Sequence, residues 1–171
     1  MRKIRGLLLP ALFLCSAAWA AQTYTHPKYL YAVDYPDSWT LRELGGAITL
    51  SAPREDEDDK FSENVQIIAE DLSSALQTPT LIEYHRTGLA NAEKFLTDFK
   101  PLEEARTEWL GRETLVMLYT ASVRGEKYRF KDYKFIEGHT AYVLTYTARA
   151  ADFDTFLEKA EAVMSSLRVS P

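Results

Sequence analysis

The sequence predicts an α+β fold, in which an antiparallel sheet of about six to seven strands lies between helices in α/β/α layers. Short runs that are apolar, or that alternate between apolar and polar residues, dominate the chain, and four of them follow one another across tight turns. Two longer segments repeat apolar residues with the helical period. Some strands are apolar on both faces, which is typical of a sheet covered on both sides.

Strands are predicted first at residues 29–35, 40–44, 47–52 and 65–71, where such runs are bounded by turn residues. Four more, at 104–110, 114–123, 127–136 and 140–148, are separated by turns at 111–112, 124–126 and 137–139, and they predict an antiparallel meander. Residues 115–119 are apolar on both faces. Trp39, which follows Tyr35 and Pro36, is interpreted as packing in the core or in a turn.

A first helix is predicted at residues 79–96, with Thr78 as N-cap and Pro79 at the first helical position. Its apolar stripe contains Leu81, Tyr84, His85, Leu89, Ala92 and Leu96. A second helix is predicted at 153–167, with Asp152 placed to cap it. Its stripe contains Phe153, Phe156, Leu157, Ala160, Met164 and Leu167.

The first 20 residues have the pattern of a secretory signal peptide. A basic head precedes a short apolar segment at 7–14, and Ala18-Trp19-Ala20 forms an A-x-A cleavage site. An uncleaved membrane anchor would need a longer apolar segment of about 20 residues. We therefore predict cleavage after Ala20 and a single domain at 21–171 that is periplasmic or secreted and does not span the membrane.

Cys15 lies within this predicted signal, and Leu14 before it fits a lipoprotein motif badly. The predicted mature chain therefore has no cysteine and no disulfide.

The predicted cleavage also removes three of the 20 basic residues, which leaves 17 basic against 25 acidic residues and a net charge of −8. Nucleic acid and anionic membranes are not expected as partners of such a chain. With 46% hydrophobic residues and only 7 Gly and 7 Pro, the composition excludes collagen-like and wholly disordered classes.

Several segments resemble the PsbP-like superfamily, which also takes in a Ran-binding nuclear-import factor and bacterial envelope proteins of the DcrB type. They occur in the right order over nearly the whole predicted mature chain. They are Tyr31-Ala32-Val33-Asp34-Tyr35-Pro36-Asp37-Ser38-Trp39, Glu63-Asn64-Val65, Glu70-Asp71-Leu72, Val143-Leu144-Thr145-Tyr146-Thr147-Ala148 and Ser165-Ser166-Leu167. The resemblance implies an antiparallel sheet between helices and a non-enzymatic role in binding, scaffolding or assembly, in a periplasmic bacterial relative rather than a photosynthetic subunit.

No motif for a cofactor, metal or catalytic nucleophile is found in the sequence. The acidic run at 55–59 lacks the alternation and glycine of a calcium loop, so a solvated loop is favoured over a weak cation site. His26, His85 and His139 are scattered, which argues against zinc. There is neither a Gly-x-Ser-x-Gly elbow nor a phosphate-binding glycine-rich loop.

A sheet about seven strands wide is broader than one helix, so an apolar strip beside each helix is expected to form a groove or a partner surface. The candidates for its lining are Tyr119, Tyr128, Phe130, Tyr142 and Tyr146, and the alternative is that they belong to the core. Lys127, Arg129 and Lys131 are predicted to share one strand face, opposite Tyr128 and Phe130. This basic stripe could meet an acidic partner, but a solubilising edge or cross-strand pairing with acidic residues is favoured.

Three functions therefore stay open. The leading one is a non-catalytic exported binding or assembly module of the PsbP-like class, with an unknown protein partner or a hydrophobic ligand in the cell envelope. The second is a small carrier of lipid or another hydrophobic ligand. The third is an envelope hydrolase with a dispersed site, for which Asp34, His85 and Glu108 are examples.

Overall fold

The computed structural model describes residues 21–57 and 59–170. The predicted signal peptide, its cleavage site and Asp58 of the acidic run lie outside these residues. Among the described helices, none has both the length and the apolar character needed to cross a membrane.

Seven antiparallel strands form the larger sheet, in the order β3-β4-β5-β9-β8-β7-β6. They are β3 (Thr40–Leu44), β4 (Ala47–Ser51), β5 (Asn64–Asp71), β6 (Thr97–Trp109), β7 (Arg112–Val123), β8 (Glu126–Glu137) and β9 (Thr140–Arg149). The predicted meander is confirmed as β6 to β9. Strand β6 begins seven residues before the predicted position, because its first part pairs with the end of β7 across two register shifts.

A separate sheet of three strands contains β1 (Ala21–Thr25), β2 (Tyr31–Pro36) and β10 (Arg168–Val169). The strand predicted at 29–35 is therefore present, but it pairs with two strands that the sequence analysis did not identify. Both are short and exposed along most of their length, so they carry no strong alternating pattern. Together they bring the two ends of the described chain to the same sheet.

The two predicted helices are α1 (Leu81–Phe95) and α2 (Phe153–Ser165). The predicted cap of α1 is wrong: Thr80 is the N-cap and forms a capping box with Glu83. Thr78 instead places its hydroxyl 2.7 Å from Nδ1 of His139. Asp152 is at the N-cap position of α2, but its side chain makes no capping hydrogen bond there.

Helix α2 and the three-stranded sheet cover one face of the larger sheet, and the main hydrophobic core lies between them. Its largest fully buried side chains include Tyr31, Ile48, Leu50, Ile67, Phe135, Leu144, Tyr146, Phe153 and Met164. Trp39 is also buried in this core, as its position after Tyr35 and Pro36 led us to expect. The α2 face is thus filled by contacts from two layers.

Helix α1 lies on the other face and is packed much more thinly. His85 is its only buried residue, whereas α2 buries four. Phe95 at the end of α1 is 71% exposed. The α/β/α layering is therefore present, with a well-packed layer on one face and a loosely packed helix on the other.

The basic stripe of β8 faces α2, on the side of the strand opposite Tyr128 and Phe130. Nζ of Lys131 lies 2.5 Å from Oε1 of Glu161, and a guanidinium nitrogen of Arg129 lies 3.7 Å from Oδ1 of Asp154. The acidic partners of Arg129 and Lys131 thus come from α2, and the cross-strand pairing favoured from the sequence is wrong for these two residues. These pairs attach α2 to the sheet.

Candidate functional site

A cleft of about 450 Å³ lies between α1 and the larger sheet. Its walls are mostly apolar, and they come from the inner side of the helix, from β5 to β9 and from the segment between β5 and α1. They include Leu72, Pro79, Tyr84, Leu89, Ala92, Phe99, Met117, Tyr119 and Val143. The thin packing of α1 leaves this space unfilled, so the cleft lies beneath the helix, whereas the apolar strip predicted from the width of the sheet would lie beside it.

Asp132 and Lys134 form an ion pair in the floor of the cleft. Two residues apart on β8, they point to the same face, and Nζ of Lys134 is 3.0 Å from Oδ2 of Asp132. Their side chains are only 7% and 10% exposed. The hydroxyl of Tyr119 lies 3.5 Å from the other carboxylate oxygen. Burial, followed by the charge of Asp132, raises the pKa of Tyr119, so its hydroxyl stays protonated and can act as a donor.

The side chain of Tyr84 closes one side of the cleft. Its hydroxyl donates a hydrogen bond of 2.8 Å to Glu70 on β5. Burial, followed by this hydrogen bond, raises the pKa of Tyr84. The bond fixes α1 to the sheet at one point, whereas the rest of the helix has few polar attachments.

His85, the next residue of α1, is buried, and its Nε2 lies 3.3 Å from Oε2 of Glu104 on β6. That contact does not have hydrogen-bond geometry, and neither ring nitrogen has a hydrogen-bond partner among the described residues. His85 is not part of the cleft lining. It therefore acts as a packing residue between α1 and β6, as its position on the apolar stripe suggests.

A row of five aromatic rings crosses the same face of the sheet from the cleft to the loop before β5. We call these residues the aromatic row: Phe99, Tyr119, Phe130, Tyr128 and Phe61. Successive ring centroids are 5.4, 4.8, 6.5 and 4.7 Å apart. The rings of Tyr119 and Phe130 are stacked with an angle of 8° between their planes. Four of the five rings are partly exposed, and the row is therefore an accessible aromatic surface.

The five candidates from the sequence divide between the two faces of the sheet. Tyr119, Tyr128 and Phe130 belong to the aromatic row. Tyr142 and Tyr146 lie on the α2 face: Tyr142 stacks on Phe135, with centroids 4.9 Å apart, and the Tyr146 hydroxyl donates to the carbonyl of Phe153. Both are buried in the core, so they are removed from the candidate surface, as the alternative interpretation allowed.

Sequence reasoning missed Phe61, Phe99 and the Asp132–Lys134 pair. The pair could have been found, because Tyr128, Phe130, Asp132 and Lys134 alternate on one strand and must share a face. Phe61 lies in a loop, and Phe99 lies at the irregular start of β6, where alternation gives no reliable face. Only the folded chain places them in the row.

The example of a dispersed hydrolase site is not assembled. Asp34 is on β2 in the smaller sheet, where its carboxylate binds Arg168. His85 is on α1, on the other side of the larger sheet, and Glu108 is exposed on the edge strand β6. Within residues 21–57 and 59–170, no group of three His, Cys, Asp or Glu side chains could hold a metal ion.

One residue of the acidic run, Asp59, is held by hydrogen bonds and an ion pair, unlike the solvated loop that the sequence predicts. Glu55, Asp56 and Glu57 are exposed, as expected. Asp59 differs: its carboxylate accepts hydrogen bonds from the backbone N–H groups of Phe61 and Glu55, and it lies 3.5 Å from Arg149. The hydrogen bond from Phe61 is the largest cause that lowers the pKa of Asp59.

No protein-family model matches this chain, and no curated protein matches it by sequence. Solved structures do resemble it. The cyanobacterial PsbP (CyanoP) of Synechocystis sp. PCC 6803 has a TM-score of 0.64 and 16% identity, over 93% of this chain and 99% of that one. LpqN of Mycobacterium tuberculosis, described as involved in cell envelope biogenesis, has a TM-score of 0.65 and 15% identity, over 88% and 91% of the two chains.

A third structure is PA94 of Pseudomonas aeruginosa, a protein of unknown function described as a candidate regulator. Its TM-score is 0.64 at 18% identity, over 88% of this chain and 98% of that chain. At such identities a structural likeness establishes the fold and not the activity. The order of strands and helices, the meander and the match to CyanoP over nearly its full length agree with the resemblance found in the sequence. The chain has the PsbP-like fold.

Proposed function

We propose that this protein is an exported, non-catalytic binding or assembly module of the cell envelope, and that the cleft beneath α1 is its binding site. The observation that carries the proposal is the unfilled cleft itself, about 450 Å³ of mostly apolar walls under a helix with one buried residue. Protein interiors are normally packed without such spaces, and a sizeable apolar pocket with a few polar groups is typical of a ligand site.

The chemistry of the cleft favours an apolar group that also carries a polar atom. Its walls provide contacts for the apolar part. The Asp132–Lys134 pair and the Tyr119 hydroxyl supply both donors and acceptors at the floor. An apolar side chain of a protein partner or a small amphiphile satisfies these requirements.

Export is supported by the signal-peptide pattern of residues 1–20. An envelope role is also consistent with LpqN, a structural neighbour described as involved in cell envelope biogenesis. A role without catalysis is favoured because the fold is shared with the cyanobacterial PsbP, whose family resemblance implies a non-enzymatic role, and because the sequence has no motif for a nucleophile or cofactor.

The cleft can be tested by filling it. Ala92 lines the cleft, whereas Ala90 on the same helix is exposed and does not. We expect Ala92→Trp to weaken binding of the uncharged apolar probe N-phenyl-1-naphthylamine about tenfold, which corresponds to about 1.4 kcal/mol. Ala90→Trp, the matched control, should leave the affinity within about twofold. Fluorescence titration measures both, and equal affinities in the two variants would contradict the assignment of the cleft.

A carrier of lipid or another hydrophobic ligand is the second candidate, and the loose attachment of α1 favours it. A helix with one buried residue and an exposed Phe95 can move away from the sheet at low cost and admit a ligand. Native mass spectrometry of protein purified from the envelope separates the two candidates. A stoichiometric lipid that Ala92→Trp removes would support the carrier, and lipid-free protein would support the binding or assembly module.

A further inference from the structure

A second groove crosses the uncovered part of the same sheet face, at the β3 edge. Helix α1 packs mainly against β6, β7 and β8 and reaches β5 through Tyr84, whereas β3 and β4 lie at the opposite end of the strand order. The groove has a volume of about 510 Å³, and it shares no lining residue with the cleft beneath α1. It is therefore a separate site.

Three cations line this groove, and no carboxylate does. They are Arg42 on β3 and, at the two ends of the acidic loop, Arg54 and Lys60. Across the described part of the chain, no ion pair involves any of them, although most other arginines are paired with a carboxylate. Arg54 also interacts electrostatically with Asp59 of the acidic loop, but no carboxylate lines the groove itself. The three cations therefore favour an anionic ligand inside the groove.

Hydroxyl groups supply the other polar contacts of the groove. Thr40, Thr49, Ser51 and Ser62 belong to its lining, and each hydroxyl can both donate and accept. The backbone of β4 beneath it is already paired with β3 and β5 in the sheet. A ligand that lies over β4 therefore finds no free main-chain partners there, and the side chains of the groove supply its hydroxyl and cationic contacts.

Aromatic rings continue the groove toward the middle of the sheet. Phe61 and Lys60 line both this groove and a neighbouring one of about 430 Å³, which contains Tyr128 and Phe130 together with the opposite charges of Arg124 and Glu126. These three rings are one end of the aromatic row, with Phe61 and Tyr128 only 4.7 Å apart between centroids. Partly exposed ring faces pack well on the C–H faces of sugar rings, and the adjacent cations suit carboxylate groups.

We propose that these joined grooves bind an anionic glycan, an oligosaccharide whose sugars carry carboxylate groups. Arg42, Arg54 and Lys60 pair with the carboxylates, the hydroxyls of β3 and β4 bind sugar hydroxyls, and Phe61 and Tyr128 stack on the rings. The joined grooves and the cleft beneath α1 share no lining residue, so the protein can bind an acidic polysaccharide whether or not the cleft is occupied.

The test uses oligogalacturonate, a uronic-acid oligomer, as probe with the purified protein in isothermal titration calorimetry. We expect the double variant Arg42→Gln/Lys60→Gln to weaken binding tenfold or more, about the loss of two charge-assisted contacts. The matched control is Lys100→Gln/Lys127→Gln, which removes the same charge from exposed positions outside both grooves. It should change the affinity by less than about twofold. Phe61→Leu should also weaken the binding of oligogalacturonate.

Other ligands in the same assay decide the chemical class. A neutral maltooligosaccharide should bind at least about tenfold more weakly than oligogalacturonate, because it cannot pair with the cations. Polyglutamate that binds as tightly as oligogalacturonate, with no effect of Phe61→Leu, would overturn the glycan assignment in favour of an acidic protein. Equal loss in the test and control variants, or no binding of oligogalacturonate at low salt, would overturn the site itself.

Discussion

Arg168 in β10 donates two hydrogen bonds to the carboxylate of Asp34 in β2, at distances of 2.7 and 2.8 Å. Thr23 in β1 donates a third at 2.6 Å, so that one carboxylate connects all three strands of the smaller sheet. These hydrogen bonds, that of Arg168 above all, lower the pKa of Asp34 to about 2. The sheet that joins the two ends of the described chain is thus held in part by a charge.

Asp34→Asn should therefore destabilise the fold in a pH-dependent way. A carboxyl group whose pKa is lower in the folded than in the unfolded state stabilises the protein above about pH 4, and this contribution is lost as the pH falls toward about 2. Because the side chains of Asp34 and Arg168 are 36% and 54% exposed, we expect a loss of only about 1 kcal/mol or less at pH 7.

Urea unfolding of wild type and Asp34→Asn at several pH values between 7 and about 2.5 measures this difference. The gap between the two proteins should narrow as the pH falls. Asp37→Asn, at an exposed position of the following turn, is the control and should show no such trend. A gap that stays constant over the whole range would contradict the role of the Asp34 charge.

The buried Asp132–Lys134 pair predicts that removal of one charge destabilises the fold, whereas removal of both charges does not. Asp132→Leu leaves the ammonium group of Lys134 in the floor of the cleft without its partner, and this should cost about 3 kcal/mol. In the double variant Asp132→Leu/Lys134→Met both charges are absent, so its stability should return to within about 1 kcal/mol of wild type. Urea denaturation measures all three, and a double variant as unstable as the single one would show that the charges are not coupled.

Tyr128 and Tyr142 should respond differently to truncation, because they lie on opposite faces of the sheet. Tyr142 is buried and stacked on Phe135, and Tyr142→Ser should cost about 3 kcal/mol or more. Tyr128 is partly exposed in the aromatic row, and Tyr128→Ser should cost about 1 kcal/mol. Thermal unfolding checks both, and a large loss at Tyr128 would mean that the row is a structural core rather than an accessible surface.

Within the acidic loop, the exposed glutamates and Asp59 should behave differently. Glu55→Ser/Glu57→Ser should leave the melting temperature within about 2 °C of wild type, because both side chains are exposed. Asp59→Asn should lower it measurably, since the carboxylate that binds Arg149 and the backbone of Phe61 loses its charge. Scanning calorimetry with calcium and with chelator is the further control, and a calcium-dependent rise in melting temperature would contradict the solvated-loop interpretation.

Cleavage of the first 20 residues is the prediction on which the envelope assignment depends most directly. The expected mature protein begins at Ala21 and contains no cysteine, because Cys15 is removed with the signal. The intact mass of protein isolated from the envelope fraction decides the matter. A mass that includes residues 1–20, or an acyl group on Cys15, would contradict both expectations.

The sequence by itself determined both helices and the strands of the larger sheet, and it determined on which side of a regular strand each side chain lies, whereas it did not reveal β1 or β10. The alternation in β8 and the 3.6-residue period in α2 are local patterns, so they can be recognised without knowledge of the fold. Helix capping also has a local signal, since Thr80 and Glu83 have the spacing of a capping box. The prediction chose Thr78 instead, because Pro79 after it is typical of the first helical position.

Only the tertiary structure decided which strand faces meet. Phe130 lies opposite Tyr119 and Thr147, whereas Tyr146 lies opposite Lys131, and a shift of one residue in this register would exchange the two faces. The faces of Tyr119, Phe130 and Tyr146 relative to one another depend on pairing between distant segments. The ion pair between Asp34 and Arg168 and the contact between the rings of Phe61 and Tyr128 also depend on distant segments. Both contacts form only when the sheets assemble.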